Sequence, residues 1–273
     1  MADEFTVRFW GVRGSIPCSG PDTAKYGGNS SCVEMRCGGR LLVFDAGSGI
    51  RPLAATLQGP QDFDLLFSHF HYDHVIGLPA CGPLYNPKTT CRIWAGRAGT
   101  GAGVRQVLSD FMSAPRFPLT LDFFRGNLSF HDFTPGDVLD PGNGIRIRTA
   151  PLNHQDGATG YRVEFGGRAV CYVTDTEQVE DGLDRTILDL IDGADLFIYD
   201  CTYTDAEYPA HKGWSHSTWQ EGMRLADAAG VKTFVIFHHD PSHDDAFMDR
   251  VAVDAEAARP GTIVSRDGMQ LAI

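Results

Sequence analysis

Five segments of this chain are short unbroken apolar runs that end on a polar side chain: LLVFD, DLLFS, VCYVTD, LFIYD and FVIFH. Such a run has no polar face to give to water, so it suits a strand covered on both sides, and several of them call for sheets with layers on both faces. In open α/β sheets reactive groups collect beyond the strand ends, so a functional site is expected where these runs stop.

Further β-rich runs surround them, TVRFWG, SSCVEMRC, TTCRIWAG, IRIRTAPL and GYRVEFGG, punctuated by glycine and proline. Ser217 followed by Gln220 predicts a capped helix over about 217–229, stopped by Gly230, and Ser242 with Asp245 predicts another over about 243–259. The two β-rich halves, about 1–140 and 141–273, are alike in kind, and 273 residues fit one unit. The expectation is an α/β chain forming a single 1–273 domain, an αββα sandwich of two face-to-face mixed sheets flanked by helices.

The balance of 23 Lys+Arg against 35 Asp+Glu gives a net charge of −12, a field that repels polyanions and argues against generic nucleic-acid binding. A small phosphorylated or carboxylated substrate stays compatible, because a bound divalent metal reverses the local polarity. MADEFTVRFWGVRG has no basic start followed by an apolar stretch, and no apolar run reaches membrane-spanning length, so neither export nor membrane insertion is indicated. The seven cysteines form no CxxC pair and often sit in apolar runs, which suits reduced thiols in a cytoplasmic protein.

The densest chemistry is FSHFHYDHVIG, with His69, His71, Asp73 and His74 directly after an apolar run. In an extended segment His69, His71 and Asp73 point to one side, and His74 joins from a turn or helix start. His154 follows IRIRTAPLN, Asp175 closes RAVCYVTD, Asp200 closes DLFIYD, and His238 and His239 follow TFVIF. Imidazole and carboxylate donors suit Zn²⁺, Mn²⁺ or Fe²⁺.

HxHxDH after a hydrophobic strand closely resembles the signature of the metallo-β-lactamase superfamily. The resemblance implies two divalent metal ions per chain, Zn²⁺ or Mn²⁺ ahead of Fe²⁺. His69, His71 and His154 would hold one, Asp73, His74 and His238 the other, with Asp175 shared. The pattern of an apolar strand followed at once by histidine favours His238. It leaves His239 behind the ligands or against substrate, and His243 near the pocket mouth. Two metals about 3.5–4 Å apart lower the pKa of a water between them and clamp the oxygens of a displacement, so hydrolysis follows.

DLFIYDCTYTD and WSHSTWQEG resemble the acidic strand-end and His-Ser-Thr motifs of the tRNase Z-like branch. That implies Asp73, Asp200 and His216 as catalytic residues: Asp73 orients the attacking hydroxide, and Asp200 aligns His216 to protonate the leaving oxygen. In that branch a long tRNA-gripping arm commonly lies between the third-motif histidine and the bridging aspartate. Here His154 and Asp175 are 21 apart, room for a hairpin only. The segment FWGVRGSIPCSGPDTAKYGGNSSCVEMRCGGRLLVFDAGSGIRPL resembles the start of tRNase Z-like hydrolases that include cyclic-nucleotide phosphodiesterases.

The reading is therefore a dinuclear metal-dependent phosphodiesterase acting on a small phosphodiester, a cyclic nucleotide first. A thioesterase or lactonase on the same centre and a tRNase Z-like endoribonuclease are its alternatives. GVRGS and YGGNSS could cradle a phosphate with backbone amides, and His211, Lys212 and Trp214 fall on a loop able to reach substrate. Phe111, Phe117, Phe123 and Phe124 read as core or as the face of a homodimer ahead of base-stacking groups.

Overall fold

The computed structural model describes residues 4–97 and 101–273, so the first three residues of the N-terminal stretch read above lie outside the described residues. Each apolar run is a strand. The first half gives β1 (Phe5–Gly11), β2 (Cys32–Cys37), β3 (Arg40–Phe44), α1 (Ile50–Thr56), β4 (Asp62–Phe67), α2 (Tyr72–Val75), β5 (Thr90–Gly96), α3 (Val104–Phe111) and β6 (Asn127–Phe133). The second gives β7 (Val138–Gly142), β8 (Ile145–Leu152), β9 (Ala158–Phe165), β10 (Arg168–Val173), α4 (Arg185–Ile191), β11 (Leu196–Asp200), α5 (Tyr208–His211), α6 (Trp219–Ala228), β12 (Thr233–Phe237), α7 (Asp245–Ala258), β13 (Ile263–Val264) and β14 (Gln270–Ala272).

Two seven-stranded mixed sheets result, ordered β14-β1-β2-β3-β4-β5-β6 and β13-β12-β11-β10-β9-β8-β7. The division between halves falls between Phe133 and Val138, and β14 crosses back to pair with β1. Strands β3 to β6 run parallel, as do β10 to β13, so the ends of β3 and β4 share one sheet edge and those of β10, β11 and β12 another.

Alternation along the apolar runs builds the layers. Leu42, Phe44 and Leu66 point between the sheets and meet Val170, Tyr172, Ile198, Val235 and Phe237. Their neighbours Leu41, Val43 and Leu65 face outward beneath α1 and α3, while Cys171, Phe197, Tyr199, Phe234 and Ile236 face outward beneath α4, α6 and α7. A strand residue thus finds apolar cover whichever way it points, which is why these runs carry no polar alternation. Phe237 packs against Phe9 and Tyr172 at ring separations of 6.1 and 5.6 Å. Phe237→Ala is expected to cost about 3–5 kcal/mol, read as a lowered denaturant midpoint with an unchanged slope.

Three local expectations are corrected. The 217–229 helix spans Trp219–Ala228 and its cap falls one residue after Ser217, because the Ser217 hydroxyl accepts from Tyr199 and Thr218 Oγ1 takes the cap from the Glu221 amide. The last long helix is capped by Asp244, which accepts from the Phe247 amide, while Ser242 turns to Asp240. Asp73 does not continue the extended run of His69 and His71; it lies with His74 on the single turn of α2. Phe124 is core, Phe111 and Phe117 pack at the edge of that core, and Phe123 is exposed. Among the described residues no helix is long and apolar enough to cross a membrane.

Candidate metal centre

The strand ends converge as the topology requires. Asp45 follows β3, His69 and His71 follow β4, His154 follows β8, Asp175 follows β10, Asp200 ends β11 and His238 follows β12. Asp45, Asp175 and His238 all have left-handed backbone, with φ of 61°, 54° and 63°. This costs an ordinary residue about 1–2 kcal/mol, and its concentration at one place is what a functional site shows. Gly14 makes room for the cluster: a Cβ there would lie 2.4 Å from the His238 ring.

Ligand atoms of His69, His71 and His154 lie within 4.8 Å of one another, and so do those of Asp73, His74, Asp175 and His238. Asp175 stands between the two groups. Its Oδ1 is 3.6 Å from His69 Nε2, and its Oδ2 is 3.2 Å from both His74 Nε2 and His238 Nε2. Asp73 Oδ2 lies 3.1 Å from His74 Nε2 and 3.2 Å from His238 Nε2, and accepts the Ser15 amide at 2.8 Å.

Hydrogen bonding on the far side of the rings sets what these nitrogens offer. His74 Nδ1 donates to Asp45 Oδ2 at 2.8 Å, so its Nε2 presents a lone pair inward. The Thr202 hydroxyl donates to Asp200 Oδ1 at 2.7 Å, which leaves His238 Nδ1 to donate to Thr202 Oγ1 at 3.0 Å and turns the Nε2 lone pair inward too. Lone pairs then face carboxylate oxygens at close range, an arrangement that a cation between them, or a second proton on the ring, makes favourable. His69 Nε2 and His74 Nε2 are buried with no hydrogen-bond partner among the described residues. The carboxylates of Asp45, Asp73, Asp175 and Asp200 are all buried. This donor set fits a pair of divalent cations.

The protonation states suit that role. Burial, together with the neighbouring His74, holds His69 well below the usual histidine range, and burial lowers His154. Burial alone would raise Asp175, but His238, His74 and His69 draw it well below the carboxylate range. Burial would lower His74, but Asp73, Asp175 and Asp45 draw it well above the usual histidine range, so this ring gives up a proton when a metal binds.

His216 lies beside the centre, its Nδ1 donating to Asp200 Oδ2 at 2.9 Å. Burial pushes its pKa down, yet the charge and hydrogen bond of Asp200, with Asp175 and Asp73 behind, raise it to about 9. A cavity of about 340 Å³ opens over Asp73, Asp175 and His216, roofed by Phe70 and Tyr72. A second, of about 510 Å³, adjoins His69 and His71 and is walled by Phe70, Pro151 and Leu152.

Three sequence expectations end differently. His239 turns away from the centre: its Nε2 donates to Ser265 O at 2.9 Å, and burial drives its pKa down to about 3. His243 is buried, 2.9 Å from Glu207 Oε1 and stacked on Phe247, so it is part of the framework rather than the mouth. The GVRGS and YGGNSS amides are already committed, Gly14 to His239 O, Ser15 to Asp73 and Asn29 to Asp267, so no phosphate cradle is presented there. In the HKGW stretch, His211 stacks on Tyr203, Lys212 pairs with Glu180, and Trp214 is exposed.

Asp45 is the residue that sequence reasoning passed over. Ser68 N and Oγ, Tyr172 OH and His74 Nδ1 all bond its carboxylate. Asp45→Asn keeps the size and tolerates the left-handed backbone but loses the charge that fixes His74. It is expected to weaken metal binding about 10–100-fold, read by competition with a chelator.

Residues 40–239 match the model of the beta-lactamase superfamily domain. The chain belongs to the beta-lactamase superfamily. Ribonuclease Z of Haloarcula marismortui is 24% identical over 313 aligned positions, covering 97% of this chain and 95% of its own length. A diphosphatase of the PhnP family shares the fold with a TM-score of 0.74 at 16% identity, covering 100% of this chain and 98% of its own. Zn²⁺-bound PqqB from Methylobacterium extorquens does so with a TM-score of 0.70 at 15% identity, covering 98% of this chain and 100% of its own.

Proposed function

We propose that this superfamily member is a phosphodiesterase acting on a small phosphodiester, with cyclic nucleotides as the leading class. The observation that carries the reading is His216, held by Asp200 at the wall of the cavity that also exposes Asp73 and Asp175. Hydrolysis of a thioester on such a centre expels a thiolate and does not need a positioned imidazolium; expulsion of an alkoxide from phosphorus does.

His69, His71 and His154 would hold one cation and Asp73, His74 and His238 the other, with the two Asp175 oxygens divided between them. When bound, such a pair supplies Lewis-acid charge for the developing oxyanions and lowers the pKa of the attacking water. Asp73 lies at the cavity wall, where its carboxylate orients that water. Asp200 keeps the His216 ring in one orientation with Nδ1 occupied, so Nε2 is the atom that gives its proton to the leaving oxygen. Zn²⁺ or Mn²⁺ suits these donors, and Zn²⁺-bound PqqB shares the fold.

A tRNA-cleaving role has the Ribonuclease Z relatives in its favour. Against it stand the net charge of −12 and the length of the alignment, whose 313 positions exceed the 273 residues of this chain by at least 40. The hairpin of β9 and β10 takes up most of the interval between His154 and Asp175. The free thiols suit the cytoplasm. The deciding experiment compares kcat/KM of the metal-loaded protein on a cyclic-nucleotide panel, a precursor tRNA and a thioester. Highest turnover on a cyclic nucleotide is expected, and a preference for either other class overturns the reading.

A further inference from the structure

The loop that presents His216 has little structure of its own. It runs from the end of α5 to the start of α6, with Gly213 at φ 87° and Ser215 at φ 65°. One carboxylate takes both of its flanking amides. Glu177 Oε1 accepts from the Gly213 amide at 2.6 Å and from the Tyr208 hydroxyl at 3.0 Å, and Oε2 accepts from the Ser215 amide at 3.2 Å. Two backbone donors flanking the exposed Trp214, and one hydroxyl from the helix before it, are therefore satisfied by one carboxylate.

Glu177 is itself fixed from the site side. It lies two residues past Asp175, its amide donates to Asn153 O at 2.8 Å, and its carbonyl accepts from Asn153 Nδ2 at 3.0 Å. Asn153 directly precedes His154, and Gln155 extends the seam by bonding Gly213 O and Ser215 Oγ at 3.0 and 3.3 Å. One residue thus ties the segments carrying His154, Asp175 and His216, while touching none of the three imidazole or carboxylate groups itself.

We infer that Glu177 is the positioning residue of the proton donor, the carboxylate that holds the 213–216 loop so that His216 faces the leaving oxygen. The inference rests on the reading of His216 as general acid. Without the carboxylate the Gly213 and Ser215 amides lose their acceptor. His216 then keeps its bond to Asp200, while the loop before it keeps only the two bonds from Gln155 to Gly213 O and Ser215 Oγ.

The test is leaving-group dependence in the metal-loaded enzyme. A 4-nitrophenolate departs without a proton, whereas a ribose or alkyl oxygen does not, so a misplaced donor slows only the second. Glu177→Ala is expected to lower kcat on an alkyl or cyclic-nucleotide diester about tenfold or more. It should leave bis(p-nitrophenyl) phosphate within about twofold and keep two metals per chain. Glu177→Gln, which keeps the volume but sets an NH₂ against one donor, should fall between. Equal losses on both substrates, loss of metal in both variants, or no loss on either overturns the inference. His216→Ala run alongside separates the failures. If it shows the selective loss and the Glu177 variants do not, only the positioning role falls; if it shows none, the proton-donor reading itself falls.

Discussion

Asp175→Asn is expected to reduce phosphodiester turnover by about 10³-fold or more and to lower the metal content from two ions per chain toward one. The substitution is chosen because asparagine accepts the left-handed backbone found at this position, φ 54°, so the effect is electrostatic rather than a matter of strain. Among the described residues Asp175 alone faces both donor groups, one oxygen toward His69 and the other toward His74 and His238. An amide there puts a neutral oxygen or a donor where a carboxylate oxygen stood, and the remaining charge of Asp73 serves only one side. Metal analysis by mass spectrometry alongside kcat decides it. Two ions retained with activity within tenfold of the parent would mean that Asp175 does not bridge.

His216→Ala is expected to lower kcat about 10²–10⁴-fold on diesters with alkoxide leaving groups, with KM and metal content little changed. The physical reason is the pairing that holds its Nδ1 against Asp200 at 2.9 Å, whose charge favours the protonated ring against the pull of burial. On 4-nitrophenyl diesters the loss should shrink to about tenfold or less. A uniform loss on both classes would point to a role in metal or substrate binding, and undiminished turnover of the alkoxide substrate would remove His216 from the mechanism.

The legible part of this fold is the part written in continuous apolar runs. β3, β4, β10, β11 and β12 could be read because both of their faces are buried, and the polar residue that ends each run marks the common edge where the candidate site assembles. β6 and β7 were illegible because NLSFHDF and VLDPG mix polar and apolar residues along half-exposed edge strands. The helix starts lie one or two residues from where the sequence places them because capping is a choice among adjacent hydroxyls and carboxylates, and tertiary contacts make it: Tyr199 claims Ser217 and leaves the cap to Thr218.

The same limit explains the residues around the metal centre. His69, His71, Asp73 and His74 announce themselves by spacing within one segment. Asp45 is a single acid at the end of LLVFD whose partners lie 23, 29 and 127 residues away. Glu177 reaches Tyr208, Gly213 and Ser215 across more than 30 residues, with no local pattern to mark it. His238 and His239 share one strand end, and only the direction of each ring separates the residue beside Asp73 and Asp175 from the one bonded to Ser265.

The most direct measurement is a titration of metal-free protein with Zn²⁺ or Mn²⁺, following bound metal and hydrolysis of bis(p-nitrophenyl) phosphate together. The arrangement around Asp175 predicts saturation at two ions per chain, with phosphodiester turnover appearing as the second site fills. Two ions bound with no phosphodiester cleaved, while a thioester or lactone turns over, would contradict the phosphodiesterase account and move the chemistry of this centre to carbonyl substrates.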